Sequence, residues 1–276
     1  MIHKAKKSLG QNFLKSKPAL NMMCSAGEVN EKDIILEIGP GKGALTEKLL
    51  KKVEKVIAVE KDRGLVIFLI EKFKNEIENG KLELIEGDIL GFNIVDYLLP
   101  TTSYKLIANI PYNITGAILK KFLAGDPPAD GQPTKMVLLV QKEVAERIVA
   151  RDGKESILSL SVKAYGEPKY IMKVSKRFFS PQPKVDSAII VINNISRKKF
   201  AGVSEKKFFE VVRAGFAHKR KVLIKNLEVG LPDIRKSDFR NILERVFEEL
   251  GTDKKARAEN VPIEKWLEIA KRCQRK

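Results

Sequence analysis

The sequence predicts an α/β fold: a mixed seven-stranded sheet with helices on both faces, followed by a small all-α domain. Three observations lead to this prediction. Short apolar β-type runs alternate with helical patterns along the first part of the chain, which is typical of a parallel sheet. The last two runs are separated by a loop too short for a crossover helix, so this pair should be antiparallel. Beyond residue 195 only amphipathic helical patterns remain.

The predicted elements follow one another in a regular order. The strands are rich in Ile, Leu and Val, and they are placed at 34–39, 56–60, 82–86, 106–109, 136–140, 170–174 and 185–192. Helical patterns of the first part lie at 45–53, 65–77, 115–122, 142–150 and 157–164. Those of the last part lie at 205–216, 221–227, 237–250 and 262–272. The predicted domains are therefore residues 1–195 and residues 196–276.

Positive charge is unevenly distributed along the chain. Its 276 residues are 43% hydrophobic, which is ordinary for a globular protein, but they carry a formal net charge of +17. Residues 1–17 contain five lysines and no acid, residues 18–195 contain 25 basic and 23 acidic side chains, and residues 196–276 contain 22 and 12. A lysine-rich proteome would explain the total charge better than its placement. A nearly neutral middle between basic ends predicts a catalytic core that is delivered to a polyanion.

Few side chains are suited to metal binding. The cysteines are Cys24 and Cys273 and the histidines are His3 and His218, without the spacing of a zinc site, so we expect no metal. No run approaches the length of a membrane span, and the first residues lack the apolar segment of a signal peptide. These features predict a protein of the reducing cytoplasm that does not engage membranes.

A glycine-rich turn, EIGPGKG at 37–43, follows the first strand and opens a helical pattern. Its third glycine falls one residue earlier than in the fingerprint of dinucleotide enzymes. Glu60 ends the second strand and can accept both ribose hydroxyls of an adenosine, while Asp88 ends the third and can accept the adenine amine. Either acid alone could equally be a loop carboxylate or a helix cap. Together, at the carboxyl edge of a parallel sheet, they predict an adenosine-bearing cofactor.

Two adenosine-bearing cofactors are compatible with this pattern, a nicotinamide dinucleotide and S-adenosylmethionine. A dinucleotide needs a helix N-terminus for its pyrophosphate, whereas S-adenosylmethionine brings an amino-acid tail and a sulfonium cation. Glu37 places a carboxylate close to the glycine turn, which favours a cationic ligand. The sequence therefore favours S-adenosylmethionine, and the glycine spacing disfavours a dehydrogenase.

The tetrapeptide NIPY begins at Asn109, where the fourth strand ends. A bare N-x-P-Y also occurs where a strand simply ends in a proline turn. Here the Asn109 side chain and the Ile110 carbonyl offer two acceptors for an exocyclic amine, and Tyr112 offers a face on which a base can stack. Of Phe178 and Phe179 we assign one to the core, and we expect Phe179, held at the surface by the proline loop, to close the base pocket. The pattern predicts methylation of a nucleobase amine.

These motifs resemble the small-subunit ribosomal RNA adenine dimethyltransferases, relatives of the erythromycin-resistance rRNA methyltransferases. The matching segments run in the order of that family: LGQNFL at 9–14, LEIGPGKGALT at 36–46, VEKD at 59–62, GD at 87–88, NIPYN at 109–113, FSPQPKVDS at 179–187 and FAHKRK at 216–221. LGQNFL and Pro40 are more similar to the ribosome-assembly branch than to the resistance branch.

The resemblance implies a Rossmann-like S-adenosylmethionine-dependent methyltransferase domain and a cofactor site of six residues: Asn12, Leu14, Gly39, Glu60, Asp88 and Asn109. It implies N6,N6-dimethylation of two adjacent adenosines in a hairpin loop near the 3′ end of small-subunit rRNA, during assembly of the subunit. It favours a monomer. The charge pattern adds a prediction that the helical domain orients the enzyme on rRNA and that six cations contact phosphates: Lys4, Lys6, Lys7, Lys219, Arg220 and Lys221.

Particular residues disfavour other classes of function. A DNA or protein-glutamine methyltransferase would usually carry N-P-P-Y and would leave the basic helical tail unexplained. A binding protein that keeps the fold without turnover, as in mitochondrial transcription factors related to this family, is disfavoured by the intact Asn109 and Tyr112.

Overall fold

The computed structural model describes residues 5–6, 9–99, 102–125, 131–231 and 236–274, with only the backbone of residues 236–239. The chain divides into two compact units. Unit 1 comprises residues 1–145 and 167–195, and unit 2 comprises residues 146–166 and 196–276. One division point coincides with the predicted domain boundary at 195. Segment 146–166 precedes that boundary in the chain but belongs to unit 2.

Seven strands of unit 1 form one mixed sheet, as predicted. The strands of the described residues are β1 Phe13–Leu14, β2 Ile34–Ile38, β3 Lys55–Glu60, β4 Leu82–Glu86, β5 Lys105–Asn109, β6 Lys135–Gln141, β7 Glu167–Val174, β8 Phe179–Ser180 and β9 Ser187–Asn193. The sheet has the order β4-β3-β2-β5-β6-β9-β7, and β1 pairs separately with β8. Strands β2 to β6 are parallel, whereas β9 runs antiparallel to both β6 and β7.

The helices of the described residues are α1 Lys17–Ala26, α2 Thr46–Leu50, α3 Arg63–Lys72, α4 Lys74–Glu78, α5 Thr115–Ala124, α6 Lys142–Val149, α7 Ile157–Lys163, α8 Glu205–Gly215, α9 Leu223–Gly230, α10 Lys236–Glu249 and α11 Ile263–Gln274. The pattern predicted at 65–77 is interrupted at Phe73, whose φ of −115° and ψ of 31° are not helical. Helix α1 was not predicted, although Ser16 caps it by accepting from the Ala19 amide. Within the described ranges, every helix is too short or too polar to cross a membrane.

The central parallel strands β2, β3, β5 and β6 are buried on both faces, whereas the edge strand β4 is mostly half-buried. Every residue from 56 to 59 of β3 is at most 2% exposed, and the centres of β5 and β6 are equally buried. Because these strands run parallel, their carboxyl ends lie at the same edge of the sheet. The turns that follow β2, β3, β4 and β5 therefore meet at that edge, where open α/β sheets bind ligands.

Unit 2 is helical, and its core explains why segment 146–166 belongs to it. Trp266 of α11 is fully buried and stacks on Phe216 at a centroid distance of 5.6 Å. The Tyr165 hydroxyl, just after α7, donates to the Glu205 carboxylate of α8 at 2.7 Å. The Tyr165 ring also packs against Phe200 at 5.0 Å.

Candidate active site

A cavity of about 960 Å³ lies in unit 1 at the carboxyl edge of the parallel strands. Residues from distant parts of the chain meet in its wall because each follows one of the neighbouring strands or lies close to β1. The lining includes all six predicted cofactor residues and three of the four predicted catalytic ones, Asn109 being in both sets: Asn12, Leu14, Gly39, Glu60, Asp88, Asn109, Ile110 and Tyr112. The structure thus brings these residues together, while their individual roles stay predictions.

The turn after β2 depends on left-handed glycines. Gly39 has a φ of +63° and Gly41 a φ of +60°, which residues with side chains rarely adopt. A Cβ on Gly39 would meet no atom within 4 Å, so the backbone there faces open space. A Cβ on Gly41 would lie 3.0 Å from the Phe13 ring. Gly39 therefore allows a ligand to approach the backbone, and Gly41 allows the segment around β1 to do so.

Glu60 is 6% exposed, and both of its carboxylate oxygens accept backbone hydrogen bonds. Oε2 accepts from the Gly41 amide at 3.1 Å and Oε1 from the Asp62 amide at 2.9 Å. Burial raises the pKa of this carboxyl, and the backbone donors oppose that rise. Since a carboxylate oxygen has more than one lone pair, Glu60 can still accept hydroxyl donors from a ligand.

Glu37 is a buried acid in the same wall, 1% exposed. Burial raises the pKa of its carboxyl to about 8; the Glu60 carboxylate acts in the same direction, and Thr46 and Lys72 in the opposite one. Its Oε2 has no hydrogen-bond partner among the described residues. A buried carboxyl oxygen of this kind favours a ligand that brings a positive charge or a hydrogen-bond donor.

Asp88 lines the cavity and already makes two hydrogen bonds. Its Oδ2 accepts from Lys61 Nζ at 2.8 Å, and its Oδ1 accepts from the Leu90 amide at 3.0 Å. These bonds hold the pKa of Asp88 below its usual value. A ligand amine at Asp88 would use the remaining lone pairs.

The side-chain amide of Asn109 is held in one orientation. Its Nδ2 donates to the backbone carbonyl of Asn12 at 3.2 Å. Because the two polar atoms of an amide point in different directions, Oδ1 is turned away from Asn12. The following Ile110 side chain is 1% exposed, so the backbone that carries the Ile110 carbonyl is anchored by packing. Both Asn109 and Ile110 line the cavity on this anchored turn.

Tyr112 also lines the cavity, and its hydroxyl lies 2.6 Å from Ser187 Oγ on β9. Burial raises the pKa of Tyr112, so its hydroxyl stays protonated at neutral pH. Ser187 is fully buried. It was not predicted as a site residue, although it ends the matched segment 179–187.

The predicted surface position of Phe179 is wrong. Phe179 is 4% exposed and belongs to the hydrophobic core, together with its β1 partner Leu14. Phe178 is the exposed ring, at 37%. Phe178 ends the 3-10 turn Lys176–Phe178, whereas Phe179 begins strand β8, where pairing with Leu14 directs it inward. The proline loop that follows does not overcome this pairing.

Asp62, at the start of α3, holds the segment that precedes β1. Its Oδ1 accepts from Lys6 Nζ at 2.8 Å and its Oδ2 from Gln11 Nε2 at 2.9 Å. Burial raises the pKa of Asp62, but these hydrogen bonds outweigh it and hold the pKa below its usual value. Gln11 and Asp62 were not predicted, although both lie in matched segments. Lys6, predicted to contact phosphate, is thus in an ion pair here.

The remaining predicted phosphate contacts divide into two groups. Lys4 and Lys7 lie outside the described residues. Lys219, Arg220 and Lys221 are exposed in the turn between α8 and α9 of unit 2. This turn is held by Asn226 Nδ2, which donates to the Gly215 and His218 carbonyls at 2.6 and 3.1 Å.

Over the part of the chain that the structure describes, His, Cys, Asp and Glu form no group of three or more that could hold a metal ion.

Solved structures similar to this chain share its fold over nearly its whole length. A dimethyladenosine transferase from Plasmodium falciparum has a TM-score of 0.76 and 28% identity, with 93% of this chain and 95% of that chain covered. The 23S rRNA methyltransferase ErmE has a TM-score of 0.76 and 24% identity, with 96% and 100% covered, and this likeness concerns the fold alone.

Sequence comparisons confirm the resemblance inferred from the motifs. Proteins named ribosomal RNA small subunit methyltransferase A are 42% identical over 266 residues in Dehalococcoides mccartyi, covering 96% of this chain and 87% of the relative. The relative of that name in Fusobacterium nucleatum is 37% identical over 274 residues, covering 98% of each chain. The family model described as ribosomal RNA adenine dimethylase matches residues 2–275. This chain therefore belongs to the ribosomal RNA adenine dimethylase family.

Proposed function

We propose that this enzyme transfers methyl groups from S-adenosylmethionine to N6 of two adjacent adenosines in small-subunit rRNA and dimethylates each. The observation that carries the proposal is the orientation of Asn109. Its Nδ2 is engaged by the Asn12 carbonyl at 3.2 Å, so that Oδ1 is available to accept a hydrogen from an exocyclic amine.

The residues of the cavity fit S-adenosylmethionine. A Cβ on Gly39 would meet no atom within 4 Å, so a ligand can approach its backbone, and the buried Glu37 carboxyl in the cavity wall favours a cationic ligand nearby. Glu60 is suited to the ribose hydroxyls and Asp88 to the adenine amine. Asn12 and Leu14 complete the proposed cofactor site. When bound, S-adenosylmethionine supplies an electrophilic methyl group on a sulfonium.

Asn109 and Ile110 orient the target amine. The N6 lone pair of adenine is delocalised into the ring, so the amine is a poor nucleophile. If Asn109 Oδ1 and the Ile110 carbonyl each accept one N6 hydrogen, the nitrogen becomes more tetrahedral and its lone pair is aimed. Correct positioning of two reactants accounts for a large part of enzymatic acceleration. No strong base is needed, because the cationic amine formed by the transfer is acidic enough to lose a proton to water.

Tyr112 supplies the stacking face for the target base. An adenosine in RNA must leave its stack to enter the cavity, and stacking on one aromatic ring recovers roughly 1–3 kcal/mol. After the first transfer only one N6 hydrogen remains. The second transfer therefore requires Asn109 or Ile110 to give up its hydrogen bond and to tolerate a methyl group there.

Six basic residues are proposed to bind the rRNA backbone. Lys219, Arg220 and Lys221 form an exposed group on unit 2, and the proposal includes the basic residues Lys4, Lys6 and Lys7. For Lys6 to contact phosphate, its ion pair with Asp62 must open or be shared. Contacts of this kind set orientation rather than sequence preference.

The proposal includes three finer features that the family resemblance implies. Two concern the substrate, a hairpin loop near the 3′ end of the rRNA and an assembling small subunit. The third is that the enzyme is a monomer. The proposed compartment is the cytoplasm, which agrees with two cysteines, Cys24 and Cys273, that are free and buried.

The test is transfer of tritiated methyl groups to small ribosomal subunits that lack the modification, beside naked rRNA, plasmid DNA and a release factor. We expect four methyl groups per small subunit, recovered as N6,N6-dimethyladenosine, and background labelling of DNA and protein. Preferred labelling of plasmid DNA or release factor would exclude the proposed substrate. Absence of transfer to every acceptor, with cofactor binding intact, would favour a binding protein.

A further inference from the structure

Phe178 is an exposed aromatic ring next to a cation. It lies at the end of the 3-10 turn Lys176–Phe178 and is 37% exposed, whereas the adjacent Phe179 is buried. The Arg177 guanidinium carbon lies 5.0 Å from the centroid of the Phe178 ring. A ring and a guanidinium plane in this arrangement offer a surface on which a nucleobase can stack.

This surface is anchored to the rim of the cavity. The Phe178 carbonyl accepts from the Lys15 amide at 2.8 Å, and two residues further on Ser180 pairs with Phe13. Both Lys15 and Ser180 line the cavity. Phe179, which lies between Phe178 and Ser180, is buried. The backbone that carries the Phe178 ring is therefore held by the hydrogen bond to Lys15, by the burial of Phe179 and by the pairing of Ser180.

The surroundings of Phe178 are suited to a polyanion. Residues 175–185 carry Lys176, Arg177 and Lys184 and no acid. The next acid, Asp186, accepts from Lys173 Nζ at 2.8 Å and from the Lys176 amide at 2.9 Å, so its charge is compensated. Lys15 and Lys17 are exposed on the same cavity rim.

We propose that Phe178 and Arg177 form a stacking platform for an unpaired nucleotide next to the adenosine that enters the cavity. An aromatic face flanked by cations matches single-stranded RNA, in which bases stack and phosphates follow the chain. A protein surface without an excess of acidic groups would leave the positive charge at this rim uncompensated. The inference rests on the proposed function, because it takes the occupant of the cavity to be an extruded nucleotide.

The platform can be tested by binding, separately from catalysis. Equilibrium binding of unmodified small ribosomal subunits is measured for the wild type, Phe178→Ala, Phe178→Tyr and Ile67→Ala. Ile67 is a matched control, because it is an exposed apolar residue on α3 at 54%. We expect Phe178→Ala to bind roughly tenfold more weakly, on the order of one lost base stack. Phe178→Tyr should bind like the wild type, and so should Ile67→Ala.

A fluorescent variant gives a second, local readout. The chain has one tryptophan, Trp266, which is fully buried. In Phe178→Trp, added RNA should quench the new indole, whereas in Ile67→Trp it should not. Quenching at position 178 alone supports the platform; quenching at both positions or at neither overturns it.

The outcomes distinguish the two proposals. If binding of Phe178→Ala equals that of Ile67→Ala, the platform is excluded, whether or not the wild type methylates rRNA. If Phe178→Ala loses binding but the wild type transfers no methyl group to rRNA, Phe178 is still an RNA-stacking residue, but the proposed reaction and the adenosine beside the platform are excluded.

Discussion

The hydroxyl groups of Tyr112 and Ser187 lie 2.6 Å apart and join the turn after β5 to the antiparallel strand β9. Ser187 is fully buried and pairs with Gln141 on one side and Val174 on the other. The Tyr112 ring, which lines the cavity, is therefore oriented by a strand 75 residues further along the chain.

Removing either hydroxyl should slow methyl transfer by a similar amount. Tyr112→Phe keeps the stacking face but removes the hydroxyl that holds the ring in its orientation. Ser187→Ala removes the other partner of the same hydrogen bond. We expect each variant to lose roughly fivefold in single-turnover rate, since one hydrogen bond contributes about 1 kcal/mol. The double variant should be no slower than either single one. Multiplicative losses would show that the two hydroxyls act independently; cofactor affinity serves as the control.

Changes at Asn109 should damage the chemical step more than binding. Asn109→Ala removes the Oδ1 acceptor, and we expect a loss of at least ~100-fold in single-turnover rate from misplacing a reacting atom. Asn109→Asp keeps an oxygen but loses the Nδ2 donor to Asn12 and places a negative charge against that carbonyl, so a large loss is expected here too. Near-normal single-turnover rates in Asn109→Ala would remove Asn109 from the mechanism.

Glu37→Gln should change how stability depends on pH. Burial raises the pKa of Glu37 from 4.5 to about 8, so between these values the folded chain keeps a proton that the unfolded chain releases. The stability due to the protonated carboxyl is complete below 4.5 and is lost as pH rises through about 8. The free energy of unfolding, from denaturant titration, should therefore fall more steeply over this range in the wild type than in Glu37→Gln.

The same carboxyl should report binding of a cationic cofactor. A positive charge near Glu37 favours its ionised form, so binding of S-adenosylmethionine near pH 7 should release a proton from the wild type. Calorimetry in buffers of different ionisation enthalpy measures that release, and Glu37→Gln is the control. Equal proton release by the two proteins would exclude Glu37 as its source.

The cations of unit 2 should govern the salt dependence of rRNA binding. Replacing Lys219, Arg220 and Lys221 together by Ala should make the plot of log binding constant against log salt concentration less steep, by about 2–3 in slope. The reason is that each phosphate neutralised by the protein releases counterions. A control variant with the same change of charge replaces three exposed lysines of unit 1: Lys32, Lys52 and Lys74. An equal change of slope in both variants would indicate a general charge effect rather than a contact surface.

The sheet and the edge at which the site lies were predictable from the sequence alone. The apolar runs that end near Gly39, Glu60, Asp88 and Asn109 were sufficient, because parallel strands bring their carboxyl ends to one edge whatever the details of packing. The short loop between β7 and β9 was sufficient to predict their antiparallel pairing. These properties follow from local periodicity and from the lengths of the connections.

The side chains that face the cavity, and the contacts that hold them, depend on how distant segments pack in the folded chain. The Asn109 amide is oriented by Asn12, the Tyr112 ring by Ser187, and Phe179 is turned inward by Leu14, which leaves Phe178 exposed. Each of these arrangements joins residues that are far apart in the chain. A single long-range hydrogen bond or strand pair produces no periodic pattern in the sequence. The orientation of these side chains therefore cannot be predicted from local sequence, because it depends on which elements pack together in the folded chain.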